Sequence, residues 1–197
     1  DAIADSSNDA TSLLVDVLSG TTSGPELPPA PFETWKTQRN IVNRYYQSLG
    51  WEEMATINVN QKTWCDGPYG RERAFVGELM DNRNMLTTNA TARLLHSIVG
   101  GVAVSSGRSQ AMMKLLKRSL NPADLPTDND EDQVTGFLGG GLPPEAQLWA
   151  KSGWTSQVRH DAAYIEIPNA RPYLLVVFTE GRAHSKNRDI LPFVSQQ

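Results

Sequence analysis

The sequence predicts an α/β chain of the α+β type, in which a run of helices gives way to three successive strands. Two observations carry this. From Gln147 onward the apolar spacing shortens to a period of two, with Ala163, Ile165 and Ile167 alternating against Ala162, Tyr164 and Glu166. Leu174 to Phe178 then form a continuous apolar run, as expected of a strand covered on both faces. Between them, Pro168-Asn-Ala-Arg-Pro172 has the residues of a tight turn.

The helices come first. Leu13, Leu14, Val17 and Leu18 fall on one helical face before Gly20 stops the helix, and Ser6, Ser7 and Asn8 are each able to cap it. Thr21 to Pro31 is rich in proline and reads as a loop. Thr34 to Leu49 predicts a second helix, with Ile41, Tyr45 and Leu49 one turn apart. From Trp51 to Met85 the periodicity fails, and the polar, glycine-punctuated stretch 58–73 is long enough to be functional. Thr87-Thr88 caps a third helix running to Gly100-Gly101. Ser105-Ser106 starts a fourth, whose Met112 and Met113 read as core filler ahead of Leu116 and Leu120. Asp124 to Asp132 reads as a solvated acidic connector, not a metal site. Ser185 to Gln197 opens as a helix that tolerates Pro192 only in its first turn. With no repeat and no linker, residues 1–197 read as one domain.

Composition narrows the function. At 197 residues, with 39% apolar residues, 20% charge and a net charge of -4, the chain has the make-up of a soluble globular protein. No basic run suggests nucleic acid as a partner, and no apolar run is long enough for a membrane span. The single cysteine, Cys65, cannot form an internal disulfide, and it has no histidine nearby to activate it. His96, His160 and His184 lack metal-ligand spacing, so neither a metal nor another cofactor is expected.

Lys151-Ser152-Gly153, at the end of the first strand, suits anion recognition. The ammonium sets the potential, the hydroxyl donates a hydrogen bond, and the glycine admits a ligand close to the backbone. This triplet, Ser6-Ser7-Asn8, Leu86-Thr-Thr-Asn-Ala-Thr-Ala-Arg-Leu-Leu95, Arg159-His-Asp-Ala-Ala163 and Pro172-Tyr-Leu-Leu-Val-Val-Phe-Thr179 run in the same order as in a known family. Together they resemble the class A β-lactamases and related penicillin-recognising serine hydrolases. The resemblance implies a β-lactamase/transpeptidase-like fold, with helices packed on an antiparallel sheet. It also implies a periplasmic or otherwise extracytoplasmic location, and a β-lactam or D-alanyl peptide as the small-molecule partner.

Roles follow from the same resemblance. Ser6 would relay or orient a proton near the nucleophile, and Asn8 would hydrogen-bond the substrate amide. Ser7 stands where the family has aspartate. Lys151 would supply positive potential for the substrate carboxylate, Ser152 would hydrogen-bond it, and Gly153 would allow its approach. The backbone N–H of Trp154 would form one side of an oxyanion hole. Arg159 would clamp a carboxylate, or else sit exposed at a strand end. Glu72 is the candidate water-activating base, although it lacks the family's E-x-x-L-N setting and its neighbours Arg71 and Arg73 suggest a surface ion pair. The other acids of the loop, Glu52, Glu53, Asp66, Glu78 and Asp81, lack that setting too.

The family's nucleophile motif, serine three residues before lysine, is absent. The six lysines 36, 62, 114, 117, 151 and 186 follow Glu33, Val59, Ala111, Lys114, Leu148 and Ala183 at that distance. The expectation is therefore a C-terminal portion of the domain, with the first strands and the nucleophile helix missing. Such a portion alone should be inactive, with an unpaired edge on the 171–179 strand that favours association. Two readings stand: an acyl-transferring hydrolase, either lactamase or D-alanyl-D-alanine peptidase, and a noncatalytic binding relative.

Overall fold

The computed structural model describes residues 1–63, 67–128 and 131–197. The chain divides into two compact units, residues 1–90 and 91–197.

In the first unit, helix α1 (Asn8–Ser19) is capped by Ser7, whose Oγ accepts from the N–H of Ala10 at 3.2 Å. It ends on Gly20, whose φ of 63° is the left-handed turn that glycine adopts without strain. The apolar stripe of α1 faces outward: Leu13, Leu14, Val17 and Leu18 are all exposed. Serine hydroxyls occupy the covered side instead. Ser12 donates to the carbonyl of Thr63 at 2.7 Å, and Ser19 meets Thr21 at 2.6 Å.

The expected loop and single helix after α1 resolve differently. Helix α2 (Pro29–Arg39) already begins at Pro29, because proline in a first turn gives up no helical hydrogen bond. It breaks at Asn40, and α3 (Ile41–Ser48) follows. Ile41 and Tyr45 are exposed, while Asn43 is buried and hydrogen-bonded to Asn40 and Asn58. The described residues of the aperiodic stretch 51–85 include a one-turn 3-10 helix, Glu52–Met54, and the α-helix α4 (Gly70–Val76). The ends of the stretch are zipped together by Asn58 and Met85, which exchange main-chain hydrogen bonds, and by side-chain bonds between Gln61 and Asn84. Trp35 and Phe75, packed edge-to-face at 5.2 Å, are buried together in this unit.

Helix α5 (Thr88–Val99) begins at Thr87, whose hydroxyl accepts from Ala90 N–H, and leads into the second unit. Helix α6 (Ser106–Leu116) starts on a Ser105 cap but stops four residues short of Leu120. There the chain pairs as a two-residue strand, β1 (Lys117–Arg118), a fourth strand that local periodicity is too short to reveal. The sheet order is β1, β2 (Gln147–Trp154), β3 (Val158–Glu166), β4 (Tyr173–Glu180), antiparallel throughout. Leu148, Ala150, Ala163 and Ile165 bury one face with Phe137, Leu138 and Leu191. Trp149, Ala162, Tyr164 and Val176 cover the other with Leu95, Ile98 and Met113. Each fully buried leucine or isoleucine contributes about 1.5–3 kcal/mol.

The acidic connector ends in an anchor, not in solvent. Asp132 is buried, accepts from the N–H groups of Val134 and Thr135, and pairs with Arg188 at 3.3 Å. The tail forms two short helices, α7 (Arg182–Lys186) and α8 (Ile190–Ser195). Gly140 and Gly141 let the 138–141 turn approach α8 so closely that an added Cβ on Gly141 would collide with the carbonyl of Pro192. Ser195 closes this contact by donating to the Leu138 carbonyl at 2.6 Å.

The exposed stripe on α1 yields the first prediction. Purified residues 1–197 should self-associate in sedimentation velocity, and Leu13→Lys with Val17→Lys should shift the population towards monomer. Because both side chains are already exposed, stability should change by less than about 0.5 kcal/mol. A variant that associates like the parent would remove this stripe as the cause.

Candidate active site

The first unit holds Ser6, Asn8 and Glu72. Ser6 adopts a left-handed φ of 57°, uncommon for a residue with a side chain, immediately before the cap of α1. Of the three candidate caps it is Ser7 that serves, since serine is a strong N-cap. Asn8 is the first helical residue, and its side chain is free of the capping role. Its carbonyl accepts from the Thr63 hydroxyl at 2.7 Å.

Glu72 is not a surface residue, and its partner is neither neighbouring arginine. It is 3% exposed, and its Oε1 accepts from Arg39 Nη2 at 2.7 Å and from the Ser23 hydroxyl at 2.9 Å. Arg39, wholly buried and stacked on Trp35 at 4.6 Å, also reaches Asp16, which in turn pairs with Lys62. Burial lowers the Arg39 pKa, and Glu72 and Asp16 oppose that shift. Glu72 Oε2 is buried and, among the described residues, without a hydrogen-bond partner. Sequence spacing could not reveal the pair, since the two residues lie 33 positions apart. Cys65 and Asp66 lie outside the described residues.

The second unit holds the rest. The register sets Lys151 opposite Ala162, Ser152 opposite Asp161, Gly153 opposite His160 and Trp154 opposite Arg159. Lys151 Nζ donates to the Ser152 carbonyl at 2.6 Å. Its pKa is lowered to about 8, first by burial and then by Arg118, with Asp161 opposing. Ser152 is buried, and its Oγ has no hydrogen-bond partner. A Cβ on Gly153 would meet open space, and Trp154 is 37% exposed. Arg159 is buried, contrary to its strand-end position. Its Nε and Nη1 donate to the carbonyls of Ser185 and Gly136, and it lies 4.7 Å from the Phe137 ring. Two of its three nitrogens are thereby committed to main chain.

Asp161 was not singled out from sequence. It is 1% exposed, accepts from Leu138 N–H at 3.0 Å through Oδ2, and leaves Oδ1 unpartnered. Burial raises its pKa to about 7, against the hydrogen bonds from Leu138 and Ala162 and the charges of Lys151 and Arg118. The signal was present: extending the Ala163–Ile165–Ile167 alternation back by two places puts Asp161 on the buried face. His160 accepts from Thr179 N–H through Nδ1, and burial lowers its pKa. Among the described residues no cluster of His, Cys, Asp or Glu could hold a metal ion. A recess of about 700 Å³ lined by Leu142, Ile167, Tyr173, Leu175 and Val194 contains none of the candidate residues.

The beta-lactamase enzyme family profile matches residues 1–196. The chain belongs to the beta-lactamase enzyme family. Solved structures of similar fold include a beta-lactamase from Sphaerobacter thermophilus, 19% identical with a TM-score of 0.63, covering 99% of this chain and 58% of its own. A class A beta-lactamase from Clostridium kluyveri is 16% identical, with a TM-score of 0.58, 99% of this chain covered and 60% of its own. A PBP-A mutant solved as an acyl-enzyme complex with penicillin G is 17% identical, with a TM-score of 0.51, 79% of this chain covered and 48% of its own. This beta-lactamase-family chain therefore spans about three-fifths of the length of the first two and half of the third. No curated protein matches it in sequence. Among the described residues, no helix is long and apolar enough to cross a membrane.

Two buried groups with opposite shifts give a pH prediction. Asp161, raised from 3.8 to about 7, contributes stability that is fully present below pH 4 and lost as pH rises to 7. Lys151, lowered from 10.5 to about 8, favours the fold increasingly from pH 8 to 10.5. Thermal melting should therefore fall between pH 4 and 7, whereas Asp161→Asn should flatten that limb and melt roughly 5 °C above the parent at pH 8. A parallel pH profile in both proteins would contradict the assignment.

Proposed function

We propose that the protein is a serine hydrolase that opens β-lactams through an acyl-enzyme, with Lys151-Ser152-Gly153 as its carboxylate subsite. The observation that carries this is Lys151 itself: a half-buried ammonium within β2, anchored to the main chain by its bond to the Ser152 carbonyl. With a pKa of about 8 it is mostly charged at neutral pH, and desolvation strengthens its attraction for an anion. Ser152 and Arg159 act from the other face of the sheet, on which Asp161 also lies. Gly153 leaves room for the ligand, Arg159 adds positive potential from a fixed position, and Trp154 N–H stabilises the developing oxyanion.

The nucleophilic hydroxyl attacks the lactam carbonyl, the C–N bond breaks, and the proton passes to the departing nitrogen with Ser6 as relay. Asn8 holds the substrate amide. None of the six lysines follows a serine at the required spacing, so in this reading the nucleophile comes from a segment outside residues 1–197, and those residues alone are inert. The reaction belongs outside the cytoplasm, where β-lactams and D-alanyl peptides are met.

One observation favours a second reading, a penicillin-binding protein whose acyl-enzyme persists. Glu72 Oε1 is already held by the Arg39 guanidinium and the Ser23 hydroxyl, which keeps it from binding a water. Only its Oε2 is left to activate water. Full-length protein mixed with penicillin G should give a mass increase of one penicillin, followed by turnover if Glu72 is the base. Glu72→Gln should then trap the adduct, slowing its decay at least 100-fold. An unchanged decay rate with a lower melting temperature would make Glu72 a purely structural partner of Arg39. No adduct at any time would reject both hydrolase readings in favour of a noncatalytic relative.

A further inference from the structure

Ser152 and Asp161 are directly opposed across β2 and β3, so their side chains share one face of the sheet. Both are at most 5% exposed, and each carries one buried polar atom without a partner among the described residues, Ser152 Oγ and Asp161 Oδ1. Such atoms are rare in native proteins and individually unfavourable, and here two of them stand on opposed residues. One is a hydroxyl, the other one half of a carboxyl whose second oxygen is already fixed by Leu138 N–H.

We propose that Asp161 is a positioning residue for Ser152: as a carboxylate it captures the hydroxyl and keeps it turned inward, and as a carboxylic acid it releases the hydroxyl to donate to a ligand carboxylate. This rests on the carboxylate role of Ser152 given above. The charge-assisted bond from a hydroxyl to a carboxylate is roughly twice as strong as the neutral one, which is what lets the proton act as a gate. The surroundings tune it. Lys151 on β2 and Arg118 on β1 are the cations that favour the carboxylate, and Arg159 lies two residues along β3 on the same face. From the 138–141 turn Asp161 meets main-chain N–H, and burial, the largest influence, favours the acid. The balance falls near neutrality, at about 7.

Two measurements on the full-length protein test this. In carbon-detected NMR, the Ser152 Cβ shift should titrate with the same midpoint as the Asp161 carboxyl carbon, and Asp161→Asn should abolish that titration. Penicillin G binding by calorimetry, on a slowly acylated variant of the nucleophile, should weaken between pH 6 and pH 8. The gate contributes about tenfold, the fall in the releasing population, and Lys151 deprotonation about twofold more. In Asp161→Asn only the Lys151 part should remain, because the amide cannot ionise and its NH₂ leaves the serine proton free for the ligand. A Ser152 signal indifferent to Asp161 overturns the proposal while leaving the hydrolase reading intact. Coupled titration without penicillin binding at any pH overturns the carboxylate role of Ser152, and with it the ligand half of the gate.

Discussion

The antiparallel register of β2 against β3 is the constraint on which the second unit depends. It places Leu148 and Ala150 against Ile165 and Ala163 in one core, and the same count brings Ser152 opposite Asp161. A slip of one residue would turn every side chain of β2 over, exchanging Trp149 and Lys151 for Leu148 and Ser152. The apolar pairs oppose that slip, since each buried aliphatic side chain is worth about 1.5–3 kcal/mol. The polar groups at the end of the strand therefore inherit their positions from hydrophobic packing several residues away. The turn at 138–141 completes the arrangement, because its glycines let α8 close over it while Leu138 N–H reaches the carboxyl of Asp161.

Each unit buries charge, and the two solve the problem differently. Around Arg39 the solution is pairing: one guanidinium, two carboxylates and a lysine form a chain in which opposite charges alternate. Removing one member of such a group is costly, typically about 3–5 kcal/mol, because the remaining charge stays buried. Among the described residues Asp161 has no ion pair in hydrogen-bond contact, and burial raises its proton affinity instead. The first arrangement makes a fixed structural tie between α1, α2 and α4. The second leaves a group whose charge changes near neutral pH, and a changeable charge is what a binding site can use.

This contrast bears on the division of roles. The family resemblance makes Glu72 the candidate base for its distance before Thr87-Thr88, but its surroundings are those of a structural carboxylate, buried and paired with Arg39. Lys151, which the sequence already marks for anion recognition, has the surroundings expected of a functional cation: half-buried, bonded to the main chain, and with its pKa drawn toward neutrality.

The sequence by itself determined the elements whose signals are local. Period-two alternation located β3, the turn residues 168–172 separated it from the apolar run of β4, and Ser7, Thr87 and Ser105 marked helix starts through their capping hydroxyls. The ordered motifs also sufficed to indicate the family. What only the tertiary structure decided were the partnerships between distant positions. Arg39 with Glu72, Asp132 with Arg188 and the two-residue β1 against β2 depend on contacts dozens of residues apart, which no local period encodes. The same holds for direction. An apolar stripe tells which residues of α1 share a face but not whether that face is covered, and here the serines are inside and the leucines outside. For Arg159 and Asp161 the strand alternation points inward while their charge points outward, because a charged residue is placed outside by its chemistry until the structure supplies the carbonyls and amides that hold it within.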